Sequence, residues 1–319
     1  MSAHLVERRR RWLRSLTFWL RPGFVLRTIN RFQKIAGFDR AIALASSALT
    51  ALIPLVILTG SLIEARSDAE AGDWIIERYE LSGAGARAVQ DVFSPVDGSS
   101  ESASAVGAVL MLLAILSFTR AFQRLFEQSW ELAPLSVRNT LNGLRWMVAF
   151  AAYALASAGI HALLAQDGAD VIANVAIAPL TAVFLIWSGW TLSARRVGRS
   201  ELWPFGVLAA ILLAVYSLAA ARYVPPQVSS YAEHYGVLGV VLAAISTLFC
   251  VMVVIAGCAA LGREVRDELA RIHSGRRPPD GEVRREWANV VAEARSRWEI
   301  ARGFVDRLRD HGDRSDQDG

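Results

Sequence analysis

Apolar residues gather in six nearly unbroken stretches through the middle of the chain, at 41–63, 104–119, 144–164, 171–194, 202–221 and 236–261. A helix rises about 1.5 Å per residue, so about 20 residues cross a hydrocarbon core of about 30 Å. Five stretches reach that length. The second has 16 residues before Arg120 and crosses with tilt, local thinning or burial by its neighbours. The pattern predicts an all-α, polytopic membrane bundle of six transmembrane helices.

Outside the spans the pattern turns amphipathic. Over 5–20, Arg8, Arg9, Arg11 and Arg14 flank Trp12, Leu13, Leu16 and Trp19, and after Pro22-Gly23 a second such segment sets Phe24, Ile29, Phe32 and Ile35 against Arg27, Arg31 and Lys34. Trp sits at headgroup depth and Arg meets anionic lipid, so both segments read as anchors on the inner membrane face. Phe118, Phe122, Leu125, Phe126 and Trp130 carry a helical stripe past Arg120 and Arg124. The second span therefore leaves the bilayer with one face still packed, and those two arginines join the inner anchors.

The segment 64–103 is too long for a simple connection. Its two apolar clusters, 74–81 and 84–93, predict short helices forming a cap on the outer mouth. Pro225-Pro226 among Tyr223, Tyr231 and Tyr235 predicts an outer-interface loop. Beyond Pro278-Pro279, Trp287, Val290, Ala294, Trp298 and Val305 fall at helical spacing within 282–309, an amphipathic helix suited to a partner. The polar last ten residues read as disordered. Three regions follow: amphipathic basic helices over 1–40, a membrane domain over 41–268, and a cytoplasmic helix with a tail over 269–319.

Composition supports the membrane reading: 53% of the 319 residues are hydrophobic and the mean hydropathy is +0.32. The net charge of +4 hides a segregated chain, because 1–40 carries ten basic and two acidic residues while 64–103 carries three basic and nine acidic. Across the alternating connections, 29 of the 34 basic residues fall on one side and four on the other. Lys and Arg collect on the cytoplasmic side, so both termini are expected there. A basic charge balance distributed in this way does not point to nucleic acid. No cleavable signal peptide is visible, and the first span is expected to act as an uncleaved insertion signal.

Catalytic chemistry has little to work with. The five histidines are scattered, and the two cysteines, Cys250 and Cys258, lie eight residues apart in the sixth stretch. That spacing excludes a disulfide within one helix, and two cysteines make no metal site. His161, near the outer end of the third span, reads as an interfacial side chain. No Asp, Glu or Lys falls deep within a span, which disfavours an ion-coupled pump. No cofactor and no metal are expected. The polar residues that remain are hydroxyls, with Pro54 and Pro179 each freeing a backbone carbonyl inside a span. Ser46, Ser47, Thr50, Pro54, Ser217, Ser246 and Thr247, with Ser188 and Thr191, are the candidate lining of a polar groove.

The order of features resembles the YihY / virulence factor BrkB family of six-span bacterial inner-membrane proteins, once described as ribonuclease BN. The markers are Ala43-Leu44-Ala45 through Pro54, then Arg120-Ala121-Phe122-Gln123-Arg124 ahead of Trp130, then Tyr231 followed by Tyr235-Gly236-Val237-Leu238-Gly239. The chain departs from the family where Ser46-Ser47 replace an aromatic pair. Near the end of the last span, Ala260 and Gly262 replace acidic and amide residues, and Thr247 and Phe249 stand for a Trp and a Tyr. The ribonuclease name implies a metal-centred site, for which this sequence supplies no ligands. The resemblance implies instead a part in moving phospholipid and a link to virulence. The expected function is therefore a non-enzymatic transporter or translocator of lipid or another amphiphile in the bacterial inner membrane, with membrane lipids as partners. The alternative is a scaffold acting through 282–309, as a homo-oligomer or with a cytoplasmic protein.

Overall fold

The structure is a computed structural model. It describes residues 22–64, 101–135, 140–164, 170–274 and 283–292, with isolated positions in the other segments. Every regular element described is helical. In chain order these are α1 (Pro22–Lys34), α2 (Gly37–Glu64), α3 (Glu101–Ser129), α4 (Thr140–Leu164), α5 (Asp170–Leu192), α6 (Arg199–Tyr235) and α7 (Val237–His273). Residues 283–292 are also helical. Across their described residues, α4, α5, α6 and α7 are each long and apolar enough to cross a membrane.

The chain forms two compact units. Residues 35–266 make the larger one, and residues 1–34 with 267–319 make the other. In the larger unit the helix ends are locally encoded. Glu131 and Ala194-Arg195 adopt positive φ. The amide of Leu132 returns to the carbonyl of Glu127 at 2.7 Å, and that of Arg195 to Trp190 at 2.9 Å. Both are helix C-terminal closures that satisfy carbonyls otherwise left open. The α6–α7 turn is a single residue, Gly236, at φ 59° and ψ −135°, a region that glycine alone enters without strain.

α6 runs 37 residues and contains Pro204, Pro225 and Pro226. The loop expected at Pro225-Pro226 is thus helix. Each proline removes one backbone hydrogen bond, but packing keeps the turns in line: Val228 and Ala243 form a buried cluster joined by Ile76, Ala86 and Tyr231. Ile76 and Ala86 belong to the segment expected to cap the bundle, and they rest against the α6–α7 hairpin. α3 likewise extends over 29 residues, so the short second stretch is the apolar part of a longer helix.

The core of this unit is aromatic. Phe126 meets Phe205 edge-on at 5.3 Å, and Phe122 stacks on Trp146 at 5.6 Å. Trp146 stacks on Phe150 at 5.4 Å, Phe150 meets Phe184 at 6.0 Å, and Phe184 stacks on Tyr153 at 4.5 Å. This ladder comes from the stripe on α3, from rings one or two turns apart on α4, and from Phe184 of α5 and Phe205 of α6; Phe122, Phe126, Trp146 and Phe205 are buried in it, whereas Phe150 is exposed.

In the smaller unit, α1 opens with Pro22 at its first position, where the missing N–H costs nothing. Arg27 binds Glu268 at 2.5 Å, Arg31 binds Asp267 at 2.8 Å, and Arg271 also reaches Glu268 at 3.2 Å. Asn30 donates its side-chain amide to the carboxylate and the carbonyl of Glu286, at 2.5 and 3.0 Å. Glu268 is 2% exposed. Residues 5–20, with the anchors Arg8, Arg9, Arg11, Trp12 and Arg14, lie outside the described residues, as do Ala294, Val305 and the tail.

Candidate functional site

Above the aromatic ladder the helices part around a cavity of about 900 Å³. Four helices contribute. α4 supplies Tyr153, Ser157 and His161, and α5 supplies Asn174 and Thr181. α6 adds Tyr216 and Ser217, and α7 adds Thr247 and Val251. The space exists because the facing positions are small: Ala158, Gly159, Ala178, Ala210 and Ala214 line it too. Such small residues bring helix backbones close in lipid. Here they leave room beside the polar side chains.

The polar groups are ordered by each other. Thr181 donates to the carbonyl of Ile177 at 3.1 Å, so in its 2.9 Å contact with the Tyr153 hydroxyl it is the acceptor. That pair forms the cavity floor, one turn from Phe184. On the opposite wall Tyr223 donates to the hydroxyl of Tyr216 at 2.7 Å, and Tyr216 donates to the carbonyl of Thr247 at 3.2 Å. Among the described residues no Asp, Glu, Lys or Arg lines the cavity, and their polar groups there are hydroxyls, one amide and one imidazole.

The expected groove residues divide. Ser217 and Thr247 lie in the cavity. Ser46 and Thr50 are exposed and Ser47 is half-buried, all on α2. Their hydroxyls bind carbonyls of their own helix, at Ala43 and Ser46. Ser246 does the same with Leu242. Pro54 lies within the helical run of α2. Ser188 is buried in the aromatic core, where it accepts the indole N–H of Trp146 at 2.8 Å, and Thr191 is also buried. Sequence reasoning missed Tyr153, Asn174, Thr181 and Tyr216. The available signal was their spacing, since Asn174 and Thr181 stand seven residues apart on one face of α5.

At the opposite end of the bundle, Glu127 is 5% exposed. One of its carboxylate oxygens accepts the Gln123 amide at 2.8 Å and the Leu135 backbone N–H at 2.9 Å. Arg196 approaches it to 3.6 Å and donates to the carbonyls of Ser193 and Ala133 at 3.0 and 2.6 Å. The α3–α4 and α5–α6 connections are thereby tied together. Trp190 lies under two guanidinium groups, Arg195 at 4.7 Å and Arg199 at 4.1 Å. Arg120 and Arg124, the expected anchors on α3, are exposed. Among the described residues, no group of three or more His, Cys, Asp or Glu is placed to hold a metal ion.

A family model described as virulence factor BrkB matches residues 28–281. The chain belongs to the virulence factor BrkB family. No curated protein and no solved structure matches it. The match takes in all four apolar helices long enough to cross a membrane. This BrkB-family chain is a multi-pass integral membrane protein of helical construction. The family's region covers both the cavity and the Glu127–Arg196 tie.

Proposed function

We propose that this BrkB-family protein moves a lipid or another amphiphile across the bacterial inner membrane through the cavity between α4, α5, α6 and α7. The reading takes six spans, counting α2 and α3, with both termini cytoplasmic as the basic connections favour. The observation that carries it is the cavity's lining: about 900 Å³ edged with neutral hydroxyl, phenol, amide and imidazole groups. That volume lies within the range of about 300–1,000 Å³ typical of small-molecule sites. A polar headgroup finds hydrogen-bond partners there, and the adjacent apolar faces accept acyl chains. No covalent step enters the proposal.

The test is phospholipid flipping by the purified protein in liposomes. Fluorescent phospholipid is placed in both leaflets and an impermeant reductant is added outside. Translocation quenches well beyond the outer-leaflet half, and Ser217→Leu with Thr247→Leu abolishes the excess. If Ser46→Leu, Ser47→Leu and Thr50→Leu abolish it instead, the path runs along α2. Quenching that stops at half in the unaltered protein removes phospholipid as the cargo.

A further inference from the structure

The smaller unit holds the Arg27–Glu268 ion pair in its interior and leaves several large apolar side chains exposed. Asp267, Glu268 and Glu286 are each engaged by Arg31, Arg27 and Asn30. Around them Val25, Ile29, Leu269 and Ile272 are exposed, although nothing about a water-facing surface favours that exchange. Burying an ion pair carries a desolvation cost that its own attraction barely offsets. Exposing several large aliphatic side chains forgoes burial as well. A surface of this composition suits a medium that is itself partly apolar.

The run from residue 283 sharpens the case. In the helix over 283–292, Val283, Trp287 and Val291 fall within an arc of about 80°, and the spacing of the sequence alone sets Trp298 on the same arc. All four are exposed, Trp287 at 59% and Trp298 at 70%. Glu286 lies away from that arc and is held by Asn30 of α1, so the helix face turned to the rest of the unit is not the tryptophan face. Arg284 and Arg295 lie along one edge of the arc and are both exposed. Glu299 is exposed too, one helical turn from Arg295 and about 80° beyond the arc's edge, farther from it than either arginine. The apolar arc therefore carries cationic groups at its border, while two of the unit's carboxylates are withdrawn into ion pairs and a third into a hydrogen bond.

We infer that this face of the terminal unit docks on an anionic lipid bilayer surface, with Trp287 and Trp298 at headgroup depth and Arg284 and Arg295 on lipid phosphates. Tryptophan prefers that depth because its ring is apolar and its N–H needs a partner. Arginine holds phosphate through a planar fork of donors. Charge complementarity selects lipid over a second copy of the same face, which would set arginine against arginine. The inference is independent of what the cavity carries.

The test is hydrogen exchange, read by mass spectrometry, on the full-length protein in nanodiscs. The bilayers are phosphatidylcholine alone or phosphatidylcholine with phosphatidylglycerol. Anionic lipid is expected to slow exchange across 283–299 by about tenfold or more, and raised salt reverses this in the unaltered protein. R284E with R295E removes the effect, whereas R284K with R295K keeps most of it. Equal protection in both bilayers overturns the proposal. So does protection that follows protein copies per nanodisc, which would assign the face to self-association.

Discussion

The indole N–H of Trp146 and the hydroxyl of Ser188 meet at 2.8 Å, and both side chains are buried. The bond joins α4 to α5 where Trp146 is stacked between Phe122 and Phe150. Ser188→Ala leaves the indole donor without a partner in a dry core, at a cost of about 1–3 kcal/mol. Thermal unfolding in detergent reads this as a lower midpoint. Combining Ser188→Ala with Trp146→Phe is expected to cost less than the sum of the two single changes, because the pair shares one interaction.

Gly262 and Gly257 stand five residues apart on α7 and predict opposite outcomes. A Cβ at Gly262 would fall 2.6 Å from both the Cα and the N of Phe205. Those are backbone atoms, so α6 and α7 must separate to admit it. Gly262→Ala is expected to destabilise by about 1–3 kcal/mol and Gly262→Val to prevent folding. Gly257 has nothing within 4 Å of a built Cβ, and Gly257→Ala is expected to be neutral or to stabilise by up to about 1 kcal/mol. The fraction of monodisperse protein after mild heating separates the two.

Element type was legible because membrane helices announce themselves by composition. The stripe Phe118–Phe122–Phe126 also reported correctly that α3 continues past Arg120, since a ring every four residues marks one buried face. Pro225-Pro226 misled, because proline's local cost is visible in sequence and the packing of Val228 and Ala232 that offsets it is not. The hydroxyls were the least legible. Serine and threonine in an apolar helix satisfy themselves on the preceding turn, as Ser46 and Thr50 do. Only three-dimensional neighbours distinguish those from Ser217 and Thr247 in the cavity.

Arg196 and Lys are not equivalent at the junction of the two connections. The guanidinium donates from Nε to Ser193 and from Nη1 to Ala133, and places Nη2 near Glu127. An ammonium group cannot span all three. Arg196→Lys is expected to cost about 1–2 kcal/mol. Glu127→Ala costs more, since it also strips the Leu135 N–H and the Gln123 amide of their acceptor. Glu127→Gln keeps one carbonyl oxygen for them and falls between. Limited trypsin digestion after residue 138 follows the same order, with cleavage fastest in Glu127→Ala.

Phe184 separates the consequences of packing from those of passage. Its ring stacks on Tyr153 of the cavity lining and also meets Phe150 and Trp146, so it joins the cavity to the aromatic core. Phe184→Ala removes that stack and leaves a void, lowering stability by about 3 kcal/mol. If the cavity is the route for an amphiphile, the same void lengthens it toward the opposite leaflet. Flipping in liposomes is then expected to rise even as the unfolding midpoint falls. Phe184→Leu, which keeps most of the apolar volume, is expected to change both only slightly. A fall in both quantities for Phe184→Ala would mean that the ring supports the cavity's shape and does not bar its floor.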